Sequence, residues 1–195
     1  VNFLPFSKPK AVRDQVIAAA TKQWKIDHAG EPLPTTFLCF IRGYYRDTMG
    51  KVGANDRGIY DDAAFVVGPE TFASFNANSD PSAFRSGVAT LLPGCYPYKK
   101  GNHGISRPGG GYPAFRPATP GEALPVRRDG ESAVPSKTPG VAINIHRGSY
   151  TSTSSLGCQT LHPSQWDAFY NLAAAEMAKA SLKTVWVIVL DGPIN

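Results

Sequence analysis

A chain of 195 residues is long enough for one sizeable domain and tight for two. Apolar residues make up 42% and charged residues 18%, which excludes a disordered chain, and no apolar run approaches the ~18 residues of a membrane span. Twenty Lys and Arg against 15 Asp and Glu favour an anionic partner, yet no basic cluster is interleaved with aromatics and no nucleic-acid-binding motif is present. Nucleic acid is therefore not expected, and an anionic cell wall fits the charge equally well.

Residues 1 to 10 lack the charged, apolar and small-residue succession of a secretory leader. Over residues 9 to 27, Val12, Val16, Ile17, Ala20 and Trp24 recur at helical spacing with Lys, Arg and Asp between them, the pattern of an amphipathic helix on a core. Residues 36 to 45 carry the β-rich run Phe37-Leu38-Cys39-Phe40-Ile41, and residues 59 to 67 follow the turn signal Asn55-Asp56-Arg57-Gly58. These two segments are expected to pair.

The middle of the chain is dense in Pro and Gly, which break helices and leave short strands near residues 88 to 92, 96 to 99 and 123 to 127. Tyr96, Tyr98, Tyr112 and Phe115 argue that this stretch packs rather than serving as a linker. Residues 141 to 145 read as a strand with Val141, Ile143 and Ile145 on one face and His146 on the other, near its end. Pro163 suits the first position of a helix with a stripe of Trp166, Phe169, Tyr170, Ala173 and Met177, and residues 185 to 190 form a closing buried strand. The fold class expected is α+β, mainly β with flanking helices, in one domain spanning residues 1 to 195.

Chemistry concentrates between His146 and Cys158. A thiol attacks as thiolate and needs an imidazole base or a positive field beside it. Twelve residues separate the pair, a loop short enough to fold back on itself, and the N-terminus of the helix at Pro163 adds a field favouring thiolate. Gly157 lets the backbone pass close to the sulfur, and the amides around Gly157 and Cys158 are candidates for holding an oxyanion. Three cysteines cannot all pair, so at least one thiol is free. Cys39, between Leu38 and Phe40, reads as a core residue, and Cys95 as structural or incidental.

The segment Ile143-Asn144-Ile145-His146-Arg147-Gly148, then Ser155-Leu156-Gly157-Cys158-Gln159, resembles the catalytic signature of the L,D-transpeptidases, cysteine enzymes of peptidoglycan metabolism, and of related phage and secreted cell-wall hydrolases. The resemblance covers residues 141 to 162. It implies an L,D-transpeptidase-like β-sandwich with Cys158 as nucleophile, His146 as base and Ser155 and Gly157 as the framework of the loop, Gly148 being a supporting residue beside them. It further implies peptidoglycan stem peptides as partner, a thioester acyl-enzyme, action at the bacterial cell wall and no cofactor. Ser149 or a backbone carbonyl is the candidate third member orienting His146. His103, in a Gly-flanked loop, is a candidate for lining the cleft, and Arg42 for facing a substrate carboxylate; an exposed histidine and a solvated strand edge are the plainer readings. Leu156 stands where the family usually has His, and Gln159 and Thr160 where Arg or Asn is usual, which favours as an alternative a wall-binding or virion-associated protein that has lost activity. A zinc site made by His146, Cys158 and His162, with Asp61 or Asp62, is the remaining alternative, without a metalloprotease signature. Asp61 and Asp62, being adjacent, point to opposite faces of a strand and do not form a carboxylate pair.

Overall fold

The computed structural model describes residues 3–106 and 108–194; Val1 and Asn2, the first positions of the segment read against a leader, lie outside them. The elements run α1 (Arg13–Asp27), β1 (Phe37–Arg42), β2 (Asp62–Val67), β3 (Phe72–Asn78), β4 (Ala89–Leu91), β5 (Gly94–His103), β6 (Tyr112–Pro117), β7 (Val126–Arg128), β8 (Ile145–Arg147), β9 (Gln159–Leu161), α2 (Pro163–Lys179) and β10 (Val185–Asp191). The fold is mainly β with two helices. Among the described residues eight strands close into a barrel in the order β1-β10-β5-β6-β8-β9-β3-β2, while β4 and β7 pair separately. Closure into a barrel, rather than two facing sheets, is where the architecture departs from the sandwich expected.

Side-chain alternation divides the interior into two cores. Leu38 and Phe40 of β1, Val185, Val187 and Val189 of β10, Tyr98 of β5 and Phe115 of β6 join Trp166, Phe169, Ala173 and Met177 of α2 in one cluster. Their neighbours Phe37, Cys39, Ile41, Phe65, Val67, Ile188 and Leu190 face the other way and meet Val16, Ala20 and Trp24 of α1. Strands β1 and β2 are therefore buried on both faces, which is why their sequences read as continuous apolar runs. The expected pairing of these segments holds, antiparallel, with Cys39 opposite Phe65.

Two helix expectations hold with adjusted bounds. Helix α1 buries Val16, Ala20 and Trp24, while Val12 is exposed at its N-cap. Helix α2 starts at Pro163, where the missing amide costs no helical hydrogen bond, and the His162 side chain caps it. The segment before His146 differs. Residues 141 to 144 are not a strand: Val141 is exposed and Ala142 takes a left-handed φ of 53°, so β8 begins at Ile145 and includes His146. Strands β3 and β6 carry no clear alternating pattern and emerge only through their pairing with β2 and β5.

Barrel register sets the site. His103 ends β5 opposite Tyr112, the first residue of β6, and Phe115 of β6 pairs with Ile145 of β8. β8 then runs parallel to β9, with His146 beside Thr160. Consecutive neighbours in the barrel thus bring His103, Tyr112, His146 and the approach to β9 together.

Candidate functional site

The Sγ of Cys158 and one ring nitrogen each of His103 and His146 lie within 4.8 Å of one another. His146 is buried on β8, and Cys158, in the turn before β9, is half-buried. The structure thus brings together the two side chains that the sequence pairs, Cys158 and His146. His103 is not the exposed loop histidine of the plainer reading: it is half-buried at the end of β5, and its ring stacks on that of His146 at 3.8 Å and 18°.

The imidazole of His146 is held through Nδ1, which lies 2.8 Å from the carbonyl oxygen of Arg147 and 3.0 Å from the Tyr112 hydroxyl. A carbonyl only accepts, so Nδ1 carries the proton and Nε2 the basic lone pair. Of the two candidates for the orienting group, the backbone carbonyl fills the role. Ser149 does not: its Oγ meets Thr151 and its amide donates to the Tyr60 hydroxyl. Gly148 supports the loop from behind, its N–H donating to Leu161, and a Cβ there would run into the Tyr60 hydroxyl.

The sulfur has its own donor. The backbone N–H of Asn144 lies 3.3 Å from Sγ of Cys158, a contact that stabilises negative charge there. Burial acts in the opposite sense and prevails, pushing the thiol up to about 11, against the smaller lowering from the Asn144 amide. Burial therefore favours the protonated thiol over the thiolate.

Gly157 keeps the shaping role expected of it but not the oxyanion one. Its N–H donates to Ser155 Oγ at 3.0 Å, while that hydroxyl donates to the Cys158 carbonyl at 2.7 Å, closing a tight turn. The Gly157 amide is thus committed to Ser155 and does not face an oxyanion. What requires glycine is shape: φ is +129° and a Cβ would collide with the Ala89 carbonyl of β4. Ser155 frames the loop as expected, with its own amide held by Ser82 Oγ.

Arg42 is not brought to this site. It is buried, its Nη1 2.9 Å from Asp191 and its Nε 3.1 Å from Asp80, though not along the N–H, and Nη2 donates to the carbonyls of Ser79 and Leu91. Nor are the ligands of the expected zinc alternative assembled. His162 caps α2 with Nδ1 accepting from Ser164 and stands edge-on to Tyr60 and Tyr150. Asp61 and Asp62 are buried elsewhere, Asp62 accepting from Gly43 and from the amide and hydroxyl of Ser79. His103 occupies the place assigned to His162. Cys39 is a core residue as expected, and Cys95 faces Asp27; none of the three cysteines is paired.

Beside Cys158 opens a groove of about 370 Å³ lined by Arg85, Val88, Ala89, Val141, Ala142 and Leu156, among others. Leu156 projects at 68% exposure. Arg128 also borders it, but all three of its guanidinium nitrogens are spent on the carbonyls of Thr138, Gly87 and Pro139. Arg85 is exposed at the rim. Among the described residues no helix is long and apolar enough to cross a membrane. No family model and no curated protein matches the sequence.

Proposed function

We propose that the protein is a cysteine acyl-transfer enzyme that cleaves or exchanges peptide bonds in peptidoglycan stem peptides. The observation carrying this reading is the convergence of the Cys158 thiol and the His146 imidazole at an open groove, with the imidazole tautomer set by the Arg147 carbonyl. His146 Nε2 removes the thiol proton as sulfur attacks the carbonyl carbon, and the Asn144 amide supports the sulfur as charge develops. The same imidazole then protonates the leaving amine, giving a thioester. Water completes hydrolysis; an amine of a second stem gives cross-linking. Arg85 at the rim, rather than Arg42, offers a cation for a stem carboxylate, and the residues matching the L,D-transpeptidase signature supply the choice of substrate.

Purified peptidoglycan incubated with the protein should yield new muropeptides by mass spectrometry, and Cys158→Ala should abolish them while remaining folded by circular dichroism. Identical profiles from the two proteins would end the proposal.

A further inference from the structure

We propose that His103, His146 and Cys158 also form a binding site for one zinc ion, and that its occupancy withdraws the thiol from acyl transfer. The second half rests on Cys158 being the nucleophile; the first does not.

The ligand set is one thiolate and two imidazoles, a donor combination suited to a borderline divalent cation such as Zn²⁺. Around a tetrahedral zinc, with bonds of about 2.0 Å to nitrogen and 2.3 Å to sulfur, ligand atoms sit roughly 3.5 Å apart. Here they lie within 4.8 Å of one another without a metal, so side-chain adjustments on the order of an ångström close the site. Three different parts of the barrel present them: the end of β5, β8 and the turn before β9. Separate segments thus hold the three donors near one another, and the stacked imidazoles fan apart by side-chain rotation as the ion enters.

Outer contacts match those of a metal centre. Imidazole ligands are usually oriented by a hydrogen bond at the other ring nitrogen. His146 has the Arg147 carbonyl and Tyr112 hydroxyl at Nδ1, and His103 has the Asn144 side-chain amide at Nδ1, 3.1 Å away. The buried Oδ1 of Asn144 has no partner as placed; turning that amide over sets Oδ1 against His103 Nδ1–H and satisfies it. Three protein ligands leave the fourth zinc position to water or an anion from the adjoining groove. Binding converts Cys158–SH and Zn²⁺ into a zinc thiolate with release of one proton to solvent. The sulfur lone pair is then engaged by the metal, and His146 can no longer accept a proton from it.

Chelator-stripped full-length protein titrated with Zn²⁺ by calorimetry should bind one ion per chain, and Co²⁺ should give a thiolate-to-metal charge-transfer band with tetrahedral visible absorption. His103→Ala should weaken zinc binding at least tenfold, and Cys158→Ser should remove the charge-transfer band, each with folding checked by circular dichroism in the absence of metal. Binding that is absent, or unchanged in both variants, overturns the site. Stoichiometric zinc should reduce Cys158-dependent muropeptide formation at least tenfold, reversibly on adding chelator. Products that require zinc and vanish with chelator would overturn the inhibitory role while leaving the site itself standing. Because binding is read without substrate, the site can fail while the acyl-transfer proposal survives, and the reverse.

Discussion

The backbone N–H of Asn144 points at the sulfur of Cys158 from 3.3 Å, although fourteen residues separate them along the chain. Ala142, two residues earlier, holds a left-handed φ of 53° and its carbonyl lies 3.9 Å from the same sulfur. The chain before β8 is thus bent to aim an amide at the thiol instead of continuing the sheet. A non-glycine residue in this conformation costs about 1–3 kcal/mol, which the surrounding packing must offset.

The balance between that amide and burial sets how the thiol reacts. With its pKa pushed up to about 11, Cys158 is overwhelmingly the neutral thiol at neutral pH. Alkylation by iodoacetamide, followed peptide by peptide to separate Cys39 and Cys95, should therefore accelerate about tenfold per pH unit from pH 7 to 10. An ordinary exposed cysteine levels off near its value of ~8.5. A plateau below pH 8 would mean that a thiolate–imidazolium pair already exists at rest, contrary to the burial argument.

Gly157 tests the shape of the turn that carries Cys158. Gly157→Ala places a Cβ against the Ala89 carbonyl at a φ of +129°, so either β4 or the turn must move. The expected loss is about 2–4 kcal/mol in urea unfolding, with slower Cys158 alkylation or altered pH dependence as the turn shifts. Wild-type stability in the variant would show that the turn relaxes freely.

How far the site was legible follows from where its information lies in the chain. His146, Cys158, Gly157 and Ser155 fall within thirteen residues, and residue types at short spacing disclose a turn and a His–Cys pair. The Arg147 carbonyl and the Asn144 amide are backbone groups, so no residue identity announces them; only the bend at Ala142 creates them. His103 reaches His146 through the β5–β6–β8 register, a long-range pairing that local patterns do not specify. Arg42 misled for a related reason. Its alternation at a strand end is visible, but the partners that bury it, Asp80 and Asp191, arrive from distant segments. In the fold, the helices were legible from their apolar spacing and the twice-buried strands from their unbroken apolar runs; the lightly patterned β3 and β6 were not, and barrel closure depends on the parallel pairs β1–β10 and β8–β9.

Arg42 should accordingly behave as a structural residue. Arg42→Met leaves Asp80, which is 3% exposed, without its cation, and removing one partner of a buried pair costs about 3–5 kcal/mol. Adding Asp80→Asn should recover part of that loss, measured by urea unfolding. Cys158 alkylation in the folded variant should match the wild type. Full stability with a selective loss of substrate affinity would return Arg42 to the substrate-binding role.

Asp61 provides a pH signature distinct from the thiol. It is buried, its Oδ2 accepts from the Asp56 amide and its Oδ1 has no partner; burial and the neighbouring Asp62 charge push it up to about 8. Asp62 is raised too, first by burial and then by Asp80, but its oxygens accept from Gly43 and twice from Ser79, so the proton resides more readily on Asp61. A carboxyl raised in the folded state binds its proton more tightly there than when unfolded. Its contribution is complete below the ordinary 3.8 and is lost as pH rises through about 8. Unfolding free energy should therefore decline between about pH 4 and 8 and level off above, and Asp61→Asn, which carries no titrating proton, should flatten that decline. Parallel slopes for wild type and variant, measured by urea unfolding across this range, would show that Asp61 is ionised in the folded protein.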